Sequence, residues 1–174
     1  MQLNMLLTSL IASIIPLLVG FIWYNPKVFG TAWMNACGLE ESKLQEGFNM
    51  PLVFGLCILF GFFISFGISS VVIHQFGFFG MLQHQVEIKN PEALSFLQSG
   101  FEKYGNEFRT FKHGALHGTI LGITVALPIV GIGALFERRG WKYIAINAGY
   151  WILTLALMGG FICQFSKVSL EMFQ

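Results

Sequence analysis

HGALHGTILGITVALPIVGIGALF, residues 113–136, contains no Asp, Glu, Lys or Arg. Crossing a bilayer as a helix takes about 20 apolar residues, and this stretch is long enough. It is continuously apolar rather than alternating, which selects a helix over a barrel strand. Three other stretches read the same way, near residues 3–23, 51–73 and 143–165. Only 11% of the 174 residues are charged and 55% are hydrophobic, whereas soluble domains carry about a quarter charged residues. The expectation is an all-α polytopic membrane protein, a single membrane domain over residues 1–174 with four transmembrane helices in a bundle. The first segment has no basic leader, and its apolar core is longer than that of a signal peptide, so it reads as a retained helix.

Composition also removes several function classes. Cys37, Cys57 and Cys163 are odd in number and scattered, giving neither a disulfide framework nor a cysteine zinc site. A net charge of +1 offers nothing to nucleic acid. No Walker loop, HExxH, GxSxG or paired acids occur, so an enzyme reading has no residue to rest on. The basic residues divide evenly between the two sides of the membrane. The tightest cluster, the short turn at Glu137–Lys142, assigns that turn to the cytoplasm. The expected location is the cell membrane, as a multi-pass protein with the lipid bilayer as its first partner.

Between the second and third spans, Asn90-Pro91-Glu92 is a helix start, with an Asn cap, Pro at the first position and an early acid. Leu94, Leu97, Phe101, Tyr104, Phe108 and Phe111 then recur at steps of three and four. That spacing predicts an amphipathic connector helix over about 91–112, whose seam must be buried on its own protein or on a neighbouring protomer.

Residues 113–136 also carry the most specific side chains. His113 and His117 are four apart and share a helix face. Gly114, Gly118 and Gly122, with Ala126, form a small-residue stripe beside them. Such stripes let helices approach closely in lipid. Gly61, Ser65 and Ser69 on the second span, and Ala145, Gly149, Ala156 and Gly160 on the fourth, are similar faces. A tightly associated protein follows, as a homo-oligomer or as a subunit of a larger membrane complex. The histidines admit a second reading. Spans two and three run antiparallel, so His74 could meet His113 and His117 and form a metal or haem site, with His84 in the same region. No Asp, Glu or Cys lies nearby in sequence to complete a zinc shell. Satisfied histidines near the interface, with no cofactor, are therefore the expectation.

No carboxylate or strong base lies inside a span, which argues against a proton-coupled carrier. Asn147 and Tyr150, with Thr119, Thr124 and Thr154, are the polar points at membrane depth. A lumen for a neutral or amphipathic solute would be lined by Asn147 and Tyr150. Pro16 and Pro128 are candidate kinks.

The stretch GFIWYNPKVFGTAWMNACGL carries a further pattern: Trp23, Tyr24, Asn25, Pro26, Phe29, Gly30 and Trp33. It resembles the opening signature of the bacterial domain-of-unknown-function family numbered 1761. Residues 117–162 are similar to that family's later pair of helices, joined by a short turn after Phe-Glu. The resemblance implies an integral membrane protein of about four helices, in a bacterial inner membrane, with no assigned activity and no catalytic residue to carry over. An interface anchor needs only the Trp and Tyr. Phe29, Gly30 and Trp33 at fixed offsets after a proline suggest a folded turn that caps the bundle. The function expected first is a non-enzymatic structural or accessory component acting through oligomerisation or docking. A small channel or carrier comes second, and a histidine-ligated haem or metal protein third.

Overall fold

The computed structural model describes residues 2–40, 42, 47 and 49–173. It is all-helical, with four helical stretches long and apolar enough to cross a membrane: Met5–Trp23, Met50–Val72, Phe111–Phe136 and Trp141–Phe165. Two of these spans are interrupted, each at a proline. The first consists of α1 (Met5–Ala12) and α2 (Ile15–Trp23). Pro16 has no N–H for the Ala12 carbonyl, so the helix breaks just before it. The third span is α7 (Phe111–Leu121) and α8 (Leu127–Phe136), joined by a widened π turn over Gly122–Ala126. That turn leaves room for Pro128, which cannot donate to the Thr124 carbonyl. The sequence placed candidate kinks at both prolines. The short helix α3 (Thr31–Cys37) follows the first span; α4 (Met50–Val72) is the second and α9 (Trp141–Phe165) the fourth.

The fourth span packs against each of the other three. Its tightest neighbour is α7, and the glycine stripe is the reason. A Cβ on Gly118 would lie 2.0 Å from the Leu155 carbonyl oxygen, one on Gly114 2.1 Å from that of Gly159, and one on Gly122 2.6 Å from Ile152 Cα. The two backbones touch, as small residues allow in lipid. The face used on α9 is Ile152–Leu155–Gly159. The Ala156/Gly160 row borders this face: a Cβ on Gly118 would lie 2.9 Å from Ala156 Cα, and one on Gly160 2.7 Å from the ring of Phe111 at the start of α7, while a Cβ on Gly149 would lie 3.0 Å from the Trp23 ring of span one. Span two meets span one at Gly61, whose Cβ would lie 2.6 Å from the Ser13 carbonyl oxygen, and Ser65 donates to the Ser9 carbonyl at 3.2 Å.

Thr8, Ser9, Ser13, Ser65, Ser69 and Thr154 are buried, while Phe21, Ile22, Phe63, Phe66, Ile129, Leu135 and Phe136 face outward. Polar hydroxyls inside and large apolar side chains outside is the arrangement a hydrocarbon solvent selects.

Between spans two and three the chain forms two helices, α5 (His74–Glu87) and α6 (Pro91–Tyr104). Only the second was expected, because residues 74–87 mix phenylalanine with polar residues and show no clear helical period. Asn90 caps α6 as expected, accepting from the Glu92 N–H at 3.0 Å. The helix stops at Tyr104, eight residues short of the predicted end. Gly105 follows, and Phe108 takes a left-handed conformation (φ 60°) that no helix continues through. Leu97 is fully buried and packs with Val86 among Phe76, Phe78, Phe79, Leu82, Leu94 and Phe101. The first half of the seam is thus covered by α5 of the same chain, while Tyr104 and Phe108 are exposed. The α5–α6 pair lies at the end of the spans where Leu3 N–H donates to the Phe165 carbonyl and Lys167 N–H to that of Leu3.

Candidate metal centre and the signature turn

The two motifs singled out in the sequence occupy opposite ends of the spans. At one end is the turn after span one. Asn25 is extended, and its side chain accepts from the Lys27 N–H at 3.0 Å. The Gly30 N–H then reaches back to the Asn25 carbonyl at 2.9 Å. A Cβ on Gly30 would lie 2.2 Å from the Tyr24 carbonyl oxygen, so only glycine closes this turn. Closure lays Phe29 on Trp23 (centroids 4.5 Å apart) and Trp33 against Tyr24 (5.4 Å). The Trp23 indole donates to the Ile146 carbonyl at 3.0 Å, and the Tyr24 hydroxyl to Asn147 Oδ1 at 2.9 Å. Arg139 closes the same end by donating to the Cys37 carbonyl at 2.6 Å.

The signature residues therefore form a latch that fastens the end of span one to the start of span four. Burial, reinforced by Tyr150 and Tyr143, pushes the Tyr24 phenol above its usual range, so it stays a neutral donor. Asn147 and Tyr150, proposed above as lumen residues, serve this fastening: Tyr150 donates to the Pro16 carbonyl at 2.9 Å, and Asn147 accepts from Tyr24. Tyr24→Phe is expected to cost about 1 kcal/mol, the net worth of one such hydrogen bond. A lowered thermal midpoint in detergent checks this, and an unchanged midpoint would remove the latch.

At the other end the structure brings His74, His113 and His117 together. One ring nitrogen from each lies within 4.8 Å of the other two. His74 Nε2 and His113 Nε2 are 2.8 Å apart, and the three ring centroids are separated by 4.9, 5.1 and 4.5 Å. His84 is not part of this group. His113 and His117 are presented by the first two turns of α7, where Thr110 Oγ1 caps the helix by accepting from the His113 N–H at 3.2 Å. His74 arrives from the other side because Ile73 is extended (φ −109°, ψ 92°), turning the chain between α4 and α5.

Neighbouring groups hold these segments in place. Cys163 Sγ on α9 lies 3.3 Å from the carbonyl oxygens of both Val72 and Phe108. Gln75 Nε2 donates to the Gly105 and Glu107 carbonyls at 3.0 and 3.2 Å, tying the start of α5 to the end of α6. The left-handed Phe108 lays its ring along His113 (5.0 Å, 29°) and meets His74 edge-on (5.9 Å). A phenylalanine at positive φ is strained, and strain of this kind gathers at functional sites. Sequence spacing points to the three histidines but not to Phe108, because nothing in FEKYGNEFRT announces a left-handed residue.

Could this cluster hold a metal? A tetrahedral zinc with Zn–N bonds of about 2.0–2.1 Å sets its nitrogens about 3.3 Å apart. The His74–His113 pair at 2.8 Å and the 4.8 Å limit on the whole set put the three nitrogens near that spacing, so the donor set fits a zinc-sized ion. A haem fits poorly: nitrogens in contact leave no gap between the His74 and His113 rings for a macrocycle, as two axial ligands require.

Apolar spans with buried hydroxyls, a latch at one end and a histidine triad at the other describe a multi-pass membrane protein. The chain belongs to the family described as Protein of unknown function (DUF1761), which matches residues 7–163 and so includes the signature turn and all three histidines. No curated protein and no solved structure matches the chain.

Proposed function

We propose that this chain is a multi-pass protein of the cell membrane that binds one first-row transition-metal ion, zinc or a neighbour in that series, through His74, His113 and His117. One observation carries the reading: two histidines from span three and one from 39 residues away converge with their nitrogens within 4.8 Å. Neutral imidazole suits these ions and is a poor ligand for magnesium or calcium. The glycine stripe is covered by α9 of the same chain, and the first half of the connector seam by α5. Asn147 and Tyr150 are bonded to span one and the turn after it.

The test is calorimetric titration of Zn²⁺ into chelator-stripped protein in mild detergent. One ion per chain is expected, with binding lost in a variant lacking His113 and His117. Equal stoichiometry and affinity in both proteins would overturn the proposal.

A further inference from the structure

We infer that the ion on this triad keeps one open coordination position, and that this position takes small monodentate anions. The inference rests on the metal reading above and concerns what that site would do. Structural zinc sites are closed by four protein ligands, whereas sites that exchange or activate a ligand use three and leave the fourth corner free. Here, among the described residues, the group contains three histidines and no Asp, Glu or Cys. His74 is exposed and the other two are half-buried, so the fourth corner is reachable from outside the spans.

Charge selects the class of ligand. Three neutral imidazoles leave the full double charge of a divalent ion uncompensated, in a place half withdrawn from water. An anionic donor is favoured there, as is ionisation of a bound water. A groove of about 280 Å³ opens beside His74 between Phe78, Phe101, Tyr104 and Phe108. Among the described residues, Glu107 is the one carboxylate that lines it, and it is not within the ligand group. The fourth ligand would therefore come from solution, and it would exchange.

Cobalt(II) makes the position visible. The full chain in mild detergent is stripped, loaded with one equivalent of Co²⁺, filtered, and titrated with azide while its visible ligand-field bands are followed. The expected result is a saturable shift in band position and intensity, one azide per cobalt, with the cobalt retained by the protein on a second filtration. If cobalt binds but its spectrum does not move, or azide strips the cobalt into the filtrate, the open position is refuted while the metal site stands. Failure to retain cobalt at all refutes the metal site and this inference with it.

Discussion

Changing His113 and His117 together to alanine is expected to lower zinc affinity about 100-fold or more while leaving the fold intact. Even groups that merely orient a metal ligand are worth 10–100-fold in affinity, and this change removes two ligands outright. What remains is His74, a single exposed imidazole. The fold should survive for reasons the structure supplies. Both histidines are only half-buried, and α7 is held to α9 through Gly114 and Gly118, which stay in place. The Thr110 cap uses the backbone N–H of residue 113 and is independent of its side chain. An unchanged helical signal and thermal midpoint, with zinc binding lost, is the expected pair of results. Zinc binding retained at wild-type strength would place any metal elsewhere.

The second large effect is structural. Gly118→Ala is expected to destabilise the protein on the order of 3 kcal/mol, the upper range for forcing a methyl group into a packed contact. The new Cβ would sit 2.0 Å from the Leu155 carbonyl oxygen and 2.9 Å from Ala156 Cα. Both obstacles are backbone, so no side-chain rotation relieves them, and α7 would have to move off α9. Gly133→Ala is the control. It lies within α8 with nothing inside 4 Å of its Cβ position, and a helical glycine exchanged for alanine gains up to about 1 kcal/mol. Measured by thermal unfolding in one detergent, the two glycines should diverge in sign. Equal effects would mean that the α7–α9 contact is not the close approach described above.

The four spans were legible because a hydrocarbon slab imposes one length and one polarity on whatever crosses it, and four charge-free runs met both. Their alternating direction followed, and with it the possibility that His74 could meet His113. Whether it does depends on Ile73, whose extended backbone no residue type announces, and on Cys163, whose thiol lies against the carbonyls of Val72 and Phe108 from a span far along the chain. The signature turn was legible as a turn. Its partners Ile146 and Asn147 were not, since they depend on how span four is rotated about its axis.

That same rotation sets which small residues of span four lie nearest α7. Spacing favours Ala156 and Gly160 as the smooth side of α9; the closest approach of α7 is centred on Leu155 and Gly159, with Ala156 beside Gly118 and the Phe111 ring of α7 over Gly160, while the Trp23 ring covers Gly149. The connector helix ends before its expected end for a local reason. A step of three and four continues through Phe108 and Phe111, yet Gly105 and a left-handed Phe108 end the helix, and the two phenylalanines serve the turn into span three instead.

X-ray absorption at the zinc edge, on the wild-type protein loaded with one equivalent of zinc in mild detergent, tests the metal reading most directly. The proposal predicts a first shell of three imidazole nitrogens at about 2.0–2.1 Å with one further oxygen or anion, and the outer-shell pattern of histidine rings. A six-oxygen hydrated shell, or a spectrum identical in the variant lacking His113 and His117, would contradict it.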